Sequence, residues 1–304
     1  MKKILKIFFI FIFIIFIFAS LNYMFSYLEA KRGLSYLEKN YKTINVDNKK
    51  IAYYEEGAGE TIIFLHDFMS SAKDFEDISK KLSEKYRVIS IDLPGFGFST
   101  KSTDLNYSKK SMGKLINKFT KELNIETFYL VGHSMGGEIA INTYFEDTKK
   151  IKKLILINSQ GYTKTKFIPN WISDSQFFSR IFLKFGFQSY FLQQSIYKNN
   201  LHDKSKYEDS TFLKNYTLTF NIPSKTLQKI DLDDDSSLNK DKISEINIPT
   251  LILWGNYDKT LNIEYAKKFN EQIKNSTLVY LDTGHNPMIE KSDYISNLIL
   301  NFLK

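Results

Sequence analysis

Cysteine is absent from this chain of 304 residues, which excludes disulfides, thiolate-held metals and a thiol nucleophile together. Covalent catalysis would have to use serine, threonine, aspartate, lysine or another non-thiol group. Histidine is scarce, with four residues, so a reaction that needs an imidazole has few candidates. There is no internal repeat, no metal-ligand cluster and no nucleotide motif. "GFGFS" at 95–99 lacks the full dinucleotide-binding spacing. No cofactor and no metal are therefore expected.

Apolar and aromatic residues are plentiful, at 43% and 15% of the chain. That is enough for one large domain with an insertion or two small domains, and too much for wholesale disorder. The net charge of +8 comes from lysines scattered through every surface-like stretch. It reads as surface composition and not as a nucleic-acid site. The acidic run "DLDDDSS" (231–237) reads as a solvated linker with helix-capping residues in preference to a calcium loop.

The N-terminus, "MKKILKIFFIFIFIIFIFASLNYMFSYLEAKRG", carries no charge for 22 residues from Ile7 to Leu28. As a helix that is roughly 33 Å, enough to cross a hydrocarbon core. The densest part, Ile7 to Ala19, also fits the apolar region of a signal peptide. Bulky Ile17 and Phe18 before Ala19 make a poor cleavage site, so residues 1–29 are expected to be an uncleaved anchor, with secretion the outcome if they are cut. Lys2, Lys3 and Lys6 outnumber Lys31 and Arg32, which places the rest of the chain outside the cytoplasm.

Beyond the anchor, "KTINVDNKKIAYYEEG" predicts two strands around an Asp-Asn turn. "TIIFLH", "YRVISID", "TFYLVGHS", "KKLILINS", "PTLILWG" and "STLVYLD" are near-continuous apolar runs, the mark of strands buried on both faces. Helical stretches alternate with them at about 72–85, 109–123, from 135, at 262–273 and from 287. The rhythm predicts an α/β fold, a mostly parallel sheet with helices on both faces. It breaks between Gly161 and Ile248, where aromatic residues recur at helical spacing. This stretch is expected to be a helical cap at 163–243, inserted into a core of 30–162 and 244–304. Phe167, Trp171, Phe177, Phe178, Phe182, Phe185 and Phe187 within it are expected to serve the cap's own packing more than direct substrate contact.

"VGHSMGGEIA" (131–140) follows a strand and opens a helix, the context in which Gly-x-Ser-x-Gly makes its serine an exposed nucleophile on a strained turn. Gly132 and Gly136 leave no room for a Cβ, and Gly137 allows close helix packing. A serine hydroxyl needs a base to take its proton and a carboxylate to orient that base. Of the four histidines, His133 sits beside the serine and should point elsewhere. His66 ends a strand as a loop-shaping residue, and His202 has surface-like neighbours. His285, in "DTGHNPMIE", follows the last strand and is the candidate base. Asp258, in "LWGNYD", is the candidate acid, with Asp282 a local alternative. The other strand-end acid position carries Asn158.

"LHDF", "DLPGFGFS", "GHSMGG", "LWGNYD" and "GHNPMIE", in this order across residues 42–304, resemble the α/β-hydrolase superfamily. The resemblance implies an eight-stranded hydrolase sheet with a helical cap inserted after the sixth strand, and a Ser134–His285–Asp258 triad. It also implies an oxyanion hole formed by the backbone N–H groups of Phe68 and Met135. Asp67 departs from the family's usual glycine. Aspartate tolerates left-handed backbone angles, so the loop is expected to persist, and a carboxylate turned inward there would oppose an oxyanion.

These residues predict a serine hydrolase of carboxylic esters. The anchor and the aromatic insertion favour lipophilic acyl esters in the manner of monoacylglycerol lipases. Cleavage of carbon–carbon bonds in ring-fission products, amide hydrolysis, and a catalytically silent binding protein on the same scaffold are the alternatives. The expected partners are a small-molecule ester and the membrane, with no nucleic acid.

Overall fold

The structure is a computed structural model that describes residues 2–37, 40–162, 168, 169, 172, 175–233 and 241–304. Its centre is an eight-stranded sheet in the order β1-β2-β4-β3-β5-β6-β7-β8. The strands are β1 (Lys42–Val46), β2 (Lys49–Glu56), β3 (Thr61–Leu65), β4 (Arg87–Ile91), β5 (Phe128–His133), β6 (Ile151–Ile157), β7 (Thr250–Gly255) and β8 (Ser276–Leu281). Strand β2 runs antiparallel to both β1 and β4, and all other neighbours are parallel. Asp47 and Asn48 both hold positive φ, 49° and 62°. This is the backbone that a two-residue hairpin needs, and Asp-Asn tolerates it.

The apolar runs divide between two faces with period two. Ile63, Leu65, Ile89, Ile91, Leu130, Leu154, Leu156 and Ile252 join one buried cluster. Helices α3 (Lys109–Glu122), α4 (Met135–Glu146) and α9 (Glu264–Gln272) cover that face. Ile62, Phe64, Val88, Val131, Ile155, Ile157, Leu251 and Leu253 join the other. There α2 (Glu76–Leu82) and α11 (Ser292–Leu303) supply Ile78, Leu82, Ile295, Ile299 and Leu303. The C-terminal helical stretch is interrupted: α10 (Pro287–Glu290) ends at Lys291, whose φ of −141° cannot continue a helix, and α11 restarts at Ser292.

Between β6 and β7 the chain forms α5 (Gln176–Ile181), which runs on through a π-helical turn at Phe182–Phe187, then α6 (Tyr190–Asn199), α7 (Asp209–Phe220) and α8 (Ser224–Leu232). Ser175 and Ser189 cap α5 and α6 by accepting backbone N–H groups of Phe178 and Leu192. The acidic run is in part structural. Asp231 and Leu232 belong to α8, and Asp233 accepts the Tyr107 N–H at 2.9 Å; positions 234–237 lie outside the described residues.

Helix α1 (Lys2–Gly33) is longer than the uncharged stretch. It is the one helix among the described residues long and apolar enough to cross a membrane, by length and composition. Its first part exposes its apolar side chains. Its second part packs on the inserted helices: Ser26 Oγ accepts the Tyr190 N–H at 3.0 Å, and Thr217 Oγ1 donates to the Ala30 carbonyl at 2.9 Å. A Cβ on Gly33 would stand 1.9 Å from Thr217 Oγ1, so α1 and α7 approach to glycine distance there.

Candidate active site

The carboxyl ends of β3, β5, β6, β7 and β8 meet at one edge of the sheet, where open α/β sheets bind ligands. Register decides what meets there. Leu65 pairs with Gly132, which brings the loop after β3 beside the turn after β5. Gly255 pairs with Leu281, which brings the loop after β7 beside the loop after β8.

Ser134 sits on the turn between β5 and α4 with φ 51° and ψ −115°, a strained conformation for a residue with a side chain. The turn is so tight that a Cβ on Gly132 would lie 2.4 Å from the Gly136 carbonyl oxygen. One on Gly136 would lie 2.1 Å from the Leu65 carbonyl oxygen.

The structure brings the three residues expected to act together within hydrogen-bond reach. His285 Nε2 lies 3.1 Å from Ser134 Oγ, and His285 Nδ1 lies 2.8 Å from Asp258 Oδ2. All are shielded from solvent, with Ser134 1% and His285 0% exposed. Asp258 also accepts from the Thr260 and Leu261 N–H groups, at 2.7 and 3.0 Å. Burial disfavours its charge, but the His285 imidazole and these donors outweigh that and hold its carboxyl below the usual carboxylate range. For His285, burial works against the imidazolium, yet Asp258 and Asp67 prevail and push it up to about 10.

Asp282 is not beside His285. Its side chain is exposed, 3.4 Å from Lys291 Nζ and 4.0 Å from His202 Nε2. His66 shapes its loop: Nδ1 donates to the Asp67 carbonyl at 2.6 Å, and Nε2 accepts the Leu93 N–H at 3.0 Å. Burial pushes it down to about 4, so the neutral ring fits this donor–acceptor pair. His133 turns away from Ser134 but stays in the site. Its Nε2 donates to the His285 carbonyl at 2.8 Å, and the two rings are 4.9 Å apart.

The N–H groups of Phe68 and Met135 do converge, but on an occupant. Asp67 Oδ1 accepts from Phe68 at 2.6 Å and from Met135 at 3.3 Å, while Asp67 Oδ2 lies 3.3 Å from His285 Nε2. The left-handed residue of this loop is Met69, with φ 53°; Asp67 is not in that region. Tolerance of left-handed angles is therefore not what Asp67 contributes. Asp67, His133 and His285 are also the one group among the described residues whose ligand atoms, all within 4.8 Å of one another, could hold a metal ion.

Two residues belong to the site without having been singled out for it. Asn158 donates to Asp258 Oδ2 at 2.6 Å and accepts the Gly255 N–H at 3.3 Å, orienting the acid from the neighbouring strand end. Its place at the end of β6 was the available signal. Glu290 accepts from the N–H groups of Gly284, His202 and Asp203 at 2.7, 3.0 and 2.8 Å. It thereby ties the His285 loop to the inserted segment, and no local pattern announces that contact.

The inserted aromatics have different fates. Phe187 lies 6.2 Å from the Phe68 ring, and Phe182 packs on the core. Phe185 meets Tyr23 of α1 at 5.5 Å. Phe177 and Phe178 are exposed, 67% and 63%, and meet each other edge-on at 5.6 Å. Phe167 and Trp171 lie outside the described residues.

Comparison with known proteins agrees with this fold. Residues 60–292 match the model of the alpha/beta hydrolase fold family. Lipase 1 of Psychrobacter immobilis is 26% identical over 272 residues, covering 88% of this chain and 84% of its own. The 2-hydroxy-6-oxo-6-(2'-aminophenyl)hexa-2,4-dienoic acid hydrolase of Metapseudomonas resinovorans is 24% identical, covering 91% and 94%. The crystal structure of a membrane phospholipase A described as a bacterial virulence factor superposes with a TM-score of 0.74 at 21% identity, over 100% of this chain and 98% of that one. The chain belongs to the α/β-hydrolase family. It is a hydrolase of that superfamily, with relatives named as lipases and as hydrolases of 2-hydroxy-6-oxo-hexadienoic acids.

Proposed function

We propose that the protein is a membrane-anchored serine hydrolase that cleaves carboxylic esters with lipophilic acyl groups. The observation that carries this reading is the hydrogen-bonded chain from Ser134 Oγ through His285 to Asp258, with distances of 3.1 and 2.8 Å. Ser134 Oγ attacks the ester carbonyl as His285 Nε2 takes its proton, and Asp258 holds the ring and offsets its charge. The carbonyl oxygen becomes an oxyanion facing the N–H groups of Phe68 and Met135. Collapse of the tetrahedral intermediate expels the alcohol, which leaves with the proton from His285, and an acyl-serine remains. Water, activated by the same imidazole, then releases the carboxylic acid and restores Ser134.

The lipophilic preference is supported by the relationship to a lipase and by the surface around α1. Phe185 and Phe191, on the inserted helices, touch Tyr23 and Phe25, in the last third of the apolar span, at 5.5 and 4.9 Å. With Phe177 and Phe178 they give the inserted helices an aromatic surface suited to the membrane interface. In this reading α1 is an anchor with the catalytic bulk outside the cytoplasm, and the segment at 163–243 is the cap over the sheet edge.

The test is labelling of the purified protein with a fluorophosphonate, wild type beside Ser134→Ala, followed by turnover on esters of graded chain length, an amide and a ring-fission keto acid. Labelling confined to wild type and turnover of neutral esters are expected. Normal turnover by Ser134→Ala would remove the serine from the mechanism, and preference for the keto acid or amide would replace the ester assignment.

A further inference from the structure

One side chain beside Ser134 stands where acyl transfer needs space. A single oxygen of Asp67 receives both N–H groups of the oxyanion site, while its second oxygen lies against His285 Nε2. A carboxylic acid product would adopt this arrangement on leaving the acyl-serine, with one oxygen in the hole and the other at the imidazole. We propose that Asp67 is an internal competitor for the oxyanion site. Its carboxylate occupies the position of the substrate's carbonyl oxygen, acylation of Ser134 requires it to swing out, and substrates are selected by their capacity to displace it. This deepens the ester-hydrolase reading and rests on it.

Geometry excludes simultaneous occupancy. Each N–H has one proton to donate, and two anionic oxygens at hydrogen-bond distance from the same pair would overlap and repel. The seated carboxylate is also well held. Burial opposes its charge, but the His285 imidazole and neighbouring donors keep it ionised.

Outside the hole there is somewhere to go. Asp67 also borders a cavity of about 80 Å³ walled by Tyr197, Phe212, Tyr216 and Asp74. Asp74 is bonded there to Ser70 Oγ and Asn215 Nδ2. Two carboxyl groups side by side resist each other, which favours the seated position at rest. The same two groups disfavour any acyl chain that carries its own carboxylate near the scissile carbonyl. Neutral acyl esters are thus selected over anionic keto acids.

The experiment compares wild type, Asp67→Ala and Asp67→Asn for fluorophosphonate labelling rate, kcat/KM on a neutral butyrate ester, and inhibition by octanoate. Removing the competitor is expected to accelerate labelling and turnover roughly tenfold to a hundredfold, somewhat less than the roughly hundredfold to thousandfold that one oxyanion donor contributes. Octanoate should inhibit Asp67→Ala at roughly a tenth or less of the concentration needed for wild type, because the vacated site accepts its carboxylate. Asp67→Asn, of the same shape without the charge, should fall between. An Asp67→Ala protein with unchanged Tm that is labelled no faster than wild type, and no more sensitive to octanoate, would overturn the proposal. If Asp67→Ala does not fold, an Asp67→Asn protein no faster than wild type does the same. Absence of labelling in folded wild type and both variants would instead overturn the ester-hydrolase reading, and this proposal with it.

Discussion

At the scale of single residues, the chemistry depends on how His285 is charged. Buried between Asp258 and Asp67, with Ser134 Oγ and the His133 ring as its other polar neighbours, it is pushed up to about 10 despite the cost of burying a charge. In the proposed mechanism His285 is the general base, which works only when neutral, so a raised value delays activity to higher pH. The kcat/KM of wild type on a non-ionising ester is expected to climb well above the ordinary imidazole value of about 6.5. In Asp67→Ala the rising limb should move down by about one unit or more, the usual effect of removing one adjacent carboxylate. A pH–rate profile from 6 to 10 checks both. A wild-type limb at the ordinary value, unmoved by the substitution, would show that Asp67 does not hold the imidazolium during turnover. The role of Asp67 was only half legible in "LHDF". The identity of the residue could be read, but which way its carboxylate points depends on Phe68, Met135 and His285, two of them far away in the chain.

At the scale of elements, the loop carrying His285 is held by α10 and by the inserted segment. The His285 N–H donates to the Asn200 carbonyl at 2.7 Å, and Glu290 gathers three backbone N–H groups from both sides. Glu290→Gln keeps the shape but turns an NH2 group toward N–H donors. It is expected to cost roughly 1–3 kcal/mol, the range for losing bonds to a charged group and leaving donors unpaired. Urea unfolding measures that cost, and kcat should fall with it as the loop loosens. Unchanged stability and kcat would relegate Glu290 to decoration. Helix α1 shows the limit of composition at this scale. Its uncharged stretch reads as one piece, yet the structure divides it near residue 22 into an exposed apolar part and a part packed through Phe25, Ser26 and Ala30.

At the scale of the whole molecule, that division predicts two different truncations. Removal of residues 1–21 is expected to release a soluble protein that still turns over a soluble short ester. Removal of residues 1–28 also strips Tyr23, Phe25 and Ser26 from Tyr190, Phe191 and Phe220, leaving an apolar groove that should lower Tm and promote aggregation. Membrane fractionation and thermal unfolding of the two truncated proteins distinguish these outcomes. Equal behaviour would mean that the second half of α1 adds nothing to the folded domain.

The sequence by itself determined the alternation of strands and helices, the serine turn, and the order in which serine, acid and histidine follow one another. Each depends on local pattern: apolar runs of strand length, glycines where a Cβ has no room, and polar residues just past strand ends. Only the tertiary structure decided that Asn158 bonds Asp258, that Glu290 joins two loops, and that Asp67 receives the N–H groups of Phe68 and Met135. Those are contacts between groups remote in the chain, set by strand register and by which buried donors need an acceptor, and neither quantity is written in any short stretch of residues.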